Sequence, residues 1–211
     1  MRVLVIAVVA VVAAGLGGCA TLDEGECLAG NWDEIGFVDG VDGYPMSRLS
    51  QHADACAEYG VVPALASYAA GRDRGLRSYC TVEIGFFEGR TGDSYQGVCP
   101  PGLEDDFLAG FADGELVWAM QRRIEFAREA YRNARNRAER LTNDMAADEN
   151  RLADENLTNE ERASIGVRLN RLQDERERAY ADMRRAEREE DFAERDLIGL
   201  RVRLVGFYGP W

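Results

Sequence analysis

Few side chains in this sequence could do chemistry: one histidine, five cysteines, a pair of arginines in an acidic stretch, and scattered carboxylates. Any hydroxyl–imidazole–carboxylate or thiol–imidazole arrangement must use His52, which lies mid-helix in Ser50-Gln51-His52 with no nucleophile signature beside it. His52 and Cys56 are four apart and share a helix face, but no C-x-x-C pair exists to complete a metal site. Asp39-Gly40-Val41-Asp42-Gly43 looks like part of an oxygen-ligand loop. It lacks the alternating acids and distal glutamate that calcium needs, and reads as a turn at a helix end. Glu83 and Glu88 could act as acid and base on a glycan, yet 18 acidic residues lie between Ala20 and Glu115, so such pairs arise by chance. Arg72 and Arg77 are two of only five arginines in that stretch, and form the candidate anion site, for a carboxylate or phosphate. No catalytic residue, metal or cofactor is expected, and the aromatics from Trp32 to Tyr95 read as core.

The cysteines divide by position. Met1-Arg2 is a minimal charged start and Val3 to Leu16 an apolar run, too short for the roughly 17–25 residues of a membrane span. Residues 1–18 therefore read as an export signal. The junction Leu16-Gly17-Gly18-Cys19-Ala20 resembles the lipobox of bacterial lipoproteins. That resemblance implies diacylglycerol and a palmitate-type chain on Cys19, with 19–26 as a lipidated tether. Ala20 after the cysteine implies the outer membrane, facing the periplasm. Several acyl chains, at about 0.8 kcal/mol per buried CH₂, hold a protein firmly where one does not. Cys27, Cys56, Cys80 and Cys99 remain, an even number for an oxidising compartment, and two disulfides are expected. Three connectivities are open; Cys27–Cys56 with Cys80–Cys99 closes short loops and is favoured.

Charge and composition then divide the chain. The formal net charge is −13, and nearly all of it lies before residue 116, where 18 acids face five arginines. Such a surface repels phosphate backbones, which argues against nucleic-acid binding. Residues 27–115 are rich in glycine and aromatics, with G-x-x-x-G at Gly36/Gly40, Gly71/Gly75, Gly85/Gly89 and Gly110/Gly114. In segments too polar to span a membrane, this spacing predicts short soluble helices that cross closely. Ser47 and Gly60 bracket one helix, and Pro63 and Pro101 stand where others start. Cys80 to Cys99 reads as a loop or small hairpin.

From residue 116 the grammar is a heptad. Val117, Met120, Ile124, Ala127, Tyr131, Ala134, Ala138, Leu141, Met145, Asp148 and Leu152 form one stripe; Ile165, Leu169, Leu172, Arg176, Ala179, Met183, Ala186, Glu190, Ala193, Leu197, Leu200 and Leu204 form another. Thr158 with Glu161 is a capping box that starts a new helix. The expectation is all-α: a small disulfide-linked, glycine-rich helical head over 27–115, a long antiparallel coiled-coil hairpin over 116–205 turning near 156–159, and a tail over 206–211.

The strings Asn31-Trp32-x-x-Ile35-Gly36-x-x-Asp39-Gly40, Ala55-Cys56-Ala57-Glu58-Tyr59-Gly60-Val61, Tyr68-x-x-Gly71-Arg72-x-x-Gly75-Leu76-x-x-Tyr79-Cys80 and Tyr95-x-Gly97-Val98-Cys99-Pro100 resemble an uncharacterised proteobacterial lipoprotein family, filed as a domain of unknown function. The resemblance implies export, lipidation and a cysteine-stabilised domain, and no activity. The function expected is that of a non-enzymatic envelope lipoprotein. It would sit on a membrane through its lipid and meet an envelope protein partner through the hairpin. The alternative is a peptidoglycan-binding or cell-wall-modifying protein that works through the acidic, aromatic head.

Overall fold

A computed structural model describes residues 21–211, and every regular element in that range is helical. Glycine spacing and capping chemistry set the short elements. Asp23 caps α1 (Glu24–Ala29) in a reciprocal box with Glu26, and Gly30 ends it in the left-handed region. Then come α2 (Trp32–Val41), α3 (Arg48–Cys56) with a 3₁₀ turn at Ala57–Tyr59, and α4 (Leu65–Tyr79). Two further elements follow the Cys80 junction: α5 (Val82–Thr91) and α6 (Pro101–Leu152), while α7 (Asn159–Tyr208) closes the chain.

Cys80 to Cys99 is not the expected loop or hairpin. Thr81 caps a helix there by accepting from the amide of Ile84 at 3.2 Å, and Gly92 ends it at φ 83°. Four glycines inside Cys80–Cys99 looked like loop punctuation, but Gly85 and Gly89 are instead a helix face pressed on α6. A Cβ at Gly85 would overlap the carbonyl of Phe107, and one at Gly110 the carbonyl of Val82. The same reciprocal overlap joins Gly36 and Gly40 of α2 to Gly71 and Gly75 of α4. Absent side chains let two backbones touch.

The two crossings are copies of one another. Ile35-Gly36-Phe37-Val38-Asp39-Gly40-Val41-Asp42-Gly43 aligns with Ile84-Gly85-Phe86-Phe87-Glu88-Gly89-Arg90-Thr91-Gly92, and Tyr68-x-x-Gly71-x-x-x-Gly75-x-x-x-Tyr79 with Phe107-x-x-Gly110-x-x-x-Gly114-x-x-x-Trp118. In each copy the last glycine is left-handed, Gly43 at φ 71° and Gly92 at φ 83°, with an aromatic ring, Tyr79 or Trp118, in the space a Cβ would need.

Two compact units result. The first runs to Tyr79 and takes in Gln96–Val98; the second holds Cys80–Tyr95 and Cys99–Trp211. The division thus falls at Tyr79/Cys80, whereas the composition shifts near residue 115, because α5 is packed on the start of α6. Each unit holds one disulfide, Cys27–Cys56 in the first and Cys80–Cys99 in the second.

In the second unit α6 and α7 pair as an antiparallel hairpin. At 1.5 Å per residue, helices of 52 and 50 residues are each about 75–78 Å long. The heptad stripe is the seam: Val117, Ile124, Ala127, Ala134, Ala138, Leu141 and Met145 are buried, as are Ile165, Leu172, Ala179, Ala186, Ala193, Leu200 and Leu204. Ala138, Leu141 and Met145 meet Leu172 and Ala179, which fixes the register. Helix α6 ends at Leu152, four residues before the expected end near Asn156, and α7 starts at Asn159 behind the Thr158–Glu161 box. Asp148, the one polar residue in the first stripe, is fully buried and paired with Arg168 across the seam. Glu190 is held by Arg128, also across the seam, at 2.6 Å.

Candidate functional site

The first crossing assembles a buried polar chain. Gly36, Gly40, Gly71 and Gly75 bring α4 against α2 closely enough for the Tyr68 hydroxyl to donate to Asp39 Oδ2 at 2.6 Å. From α3, the ring of His52 places Nε2 2.8 Å from the same oxygen. Its other nitrogen, Nδ1, is 2.7 Å from Thr21 Oγ1. Tyr68 is 0%, His52 1% and Asp39 6% exposed, so all three side chains are buried.

Burial, then the hydrogen bond to Asp39 and the charge of that carboxylate, hold the Tyr68 pKa well above the ordinary tyrosine value. With Asp39 Oδ2 as the acceptor for both Tyr68 and His52, the ring proton lies on Nε2. Nδ1 is then the acceptor for the Thr21 hydroxyl. Protons thus point from hydroxyl to imidazole to carboxylate, the order in which a general-base relay activates a nucleophile. The surroundings use that order differently. Leu22 is buried beside Cys27, Trp32, Cys56 and Tyr68, and Asp23 caps α1, so the hydroxyl belongs to a segment fastened into the unit.

A cavity of about 300 Å³ opens beside this chain. Thr21, Val38, Tyr44, Arg48 and His52 line it, together with the carboxylates of Glu26, Glu34, Asp39 and Asp42. The Arg48 guanidinium lies 4.5 Å from the centre of the Tyr44 ring.

The second crossing is built without the chain. Glu88 takes the place of Asp39 and Phe107 that of Tyr68, and the single histidine serves the first copy. Burial, with Asp93 adding to it, raises the pKa of Glu88. Glu83 and Glu88 are five apart on α5, on different sides of the helix, and form no acid–base pair.

Arg72 and Arg77 are likewise not brought together. Arg72 is buried and donates from Nε to the carbonyl of Tyr44 at 2.8 Å; Arg77, five residues on, is exposed. The arginine of α4 that holds a carboxylate is Arg74, with two bonds of 2.8 and 2.7 Å to Asp33 across the crossing. Cys56 is tied to Cys27 and His52 to Asp39, so the shared helix face serves a disulfide and a hydrogen bond. Asp39 is inside α2, and the turn begins only at Asp42 and Gly43. Among the described residues no cluster of His, Cys, Asp and Glu could hold a metal ion. Cys19 and the leader 1–18 lie outside the described residues.

Spacing alone could not show Thr21, Asp39 and Tyr68 as partners of His52. They are 31, 13 and 16 residues from it, on different elements. The available signal was the duplicated Ile-Gly-Phe-x-acid-Gly string, which sets the two copies side by side and exposes where they differ.

Among the described residues no helix is long and apolar enough to cross a membrane. No curated protein and no solved structure matches the chain. Residues 31–116, which hold both glycine crossings, match the model of a family described as a protein of unknown function, DUF2799.

Proposed function

We propose that the protein is a proteobacterial envelope lipoprotein without enzymatic activity, carried on lipid at Cys19, and that its hairpin is a docking arm for another envelope protein. One observation carries the docking role: the hairpin fills its own seam and still exposes large apolar side chains. Phe126, Phe192, Ile198 and Val202 are 58%, 55%, 62% and 70% exposed. Ile198, Val202 and Val205 are spaced to share one face of α7, outside the stripe that packs on α6. Single exposed apolar residues are ordinary, whereas a stripe of them marks an interaction surface. The leader, the lipobox-like junction and two disulfides support an exported, oxidised location.

The test places a photoreactive amino acid at Phe192 or Val202 in the full-length protein and irradiates the living Gram-negative host. One discrete crosslinked product at both positions, with the product from position 192 lost when V202E is introduced, is the expected result. Sedimentation of the protein with peptidoglycan, unaffected by V202E but abolished by H52A, would instead support a glycan-binding head.

A further inference from the structure

Thr21 to Asp23 are built into the fold. Thr21 donates to His52, Leu22 fills the core cluster and Asp23 caps α1. The polar chain that receives Thr21 exceeds what the crossing requires, because the second copy forms with Glu88 and Phe107 and no imidazole. The extra chain between Gly43 and Tyr68 in the first copy includes α3, which supplies His52. Relative to the second copy, then, the first has gained a latch for the start of the chain.

We infer that the face of the first unit around Thr21 is seated directly on the bilayer surface, with Val38, Tyr44 and Arg48 at the level of the headgroups. This rests on the lipid at Cys19 proposed above. Successive residues advance at most about 3.6 Å, so Thr21 lies within roughly 7 Å of the lipidated residue. A free tether would let the unit drift; a latched one does not. Val38 and Tyr44 rim the cavity beside Thr21 and are 49% and 39% exposed. Tyr44 under the Arg48 guanidinium is an apolar body with a polar tip, the kind of group that settles in an interface. Glu26, Glu34 and Asp42 on the same rim are repelled by an anionic surface, which leaves a zwitterionic one as the surface this face can approach.

The experiment uses the full-length lipidated protein in phosphatidylcholine vesicles whose acyl chains are brominated near the headgroup, with a fluorescent amino acid at position 38. A second form carries twelve Gly and Ser residues inserted after Ala20, a linker with an r.m.s. reach of roughly 20 Å. Both forms are expected to float with the vesicles, with bromine quenching strong in the native form and lost in the lengthened one. If both float and neither is quenched, the seated face is wrong while the lipid anchor stands. Equal quenching in both would overturn the latched tether as its cause. A native form that stays in the soluble fraction would overturn the lipid anchor and this inference with it.

Discussion

Eight glycines set the two helix crossings, since each crossing depends on the absence of a Cβ. Gly71→Ala would drive a methyl into the carbonyl of Asp33, where the neighbour is backbone and cannot swing aside. We expect a loss of about 3 kcal/mol or more, at or beyond the upper end of overpacking costs, read by urea unfolding. Gly166→Ala is the control: it is helical and has no atom near its missing Cβ, so a gain of about 0.5–1 kcal/mol is expected. At Tyr68 the prediction concerns pH. Tyr68→Phe copies Phe107 and should cost about 2 kcal/mol near neutrality, the weight of a hydrogen bond to a charged group. Below pH 10 both folded and unfolded chains keep the hydroxyl proton, so that difference is constant. Above pH 10 the unfolded wild type ionises first while the folded Tyr68 does not, so wild type loses stability and the gap to Tyr68→Phe narrows. Denaturant midpoints of both proteins from pH 7 to 11 would show it; a gap that stayed level would be the contrary result. The glycine spacing was legible in the sequence as close helix crossings. The polar chain was not, because its members meet only after two crossing helices and α3 have taken their places.

At the scale of elements, the heptad stripes, the Thr158 capping box and the helix around His52 could all be read directly, because period and cap chemistry are local. Helix α5 could not. Its glycines weaken an isolated helix, and only contact with α6 turns that weakness into a packing face. The buried Asp148 shows how a seam trades stability for register. Arg168 reaches it from α7 and Arg151 stands one turn along α6. Arg168→Ala would leave a carboxylate in an apolar seam and is expected to cost about 3–5 kcal/mol, whereas Asp148→Leu, which continues the stripe, should be neutral or stabilising. Thermal unfolding of the two variants checks the pair. Two falling melting temperatures of equal size would show that Asp148 contributes net stability. The exposed cross-seam pairs, such as Arg123–Glu189 and Arg128–Glu194, add little individually. Their arrangement, arginines on α6 against acids on α7, favours the antiparallel partner over a second copy of either helix.

For the whole molecule the relevant fact is two compact units, each with its own disulfide. A bridge closing 29 residues or 19 residues contributes about 3–4 kcal/mol through the unfolded chain. Removing Cys27–Cys56 with paired serine substitutions should therefore raise hydrogen exchange across α1 to α4 and leave the seam of α6 and α7 protected. Exchange rising equally in both would mean that the units unfold as one. The duplicated crossing carries a further consequence for how the chain reaches this state. Helices α2 and α5 present glycines at the same spacing to partners that also match, α4 and α6. The folding chain therefore has two nearly degenerate pairings to choose from, and the wrong one joins α5 to α4. Such a mispaired form would be a kinetic trap with ordinary helices and intact backbone contacts. The disulfides bear on that choice, because each joins cysteines of the same unit. Cys80–Cys99 joins the residue just before α5 to the approach of α6, so once it closes α5 is held beside its own partner, and that bridge selects the pairing as well as reinforcing it.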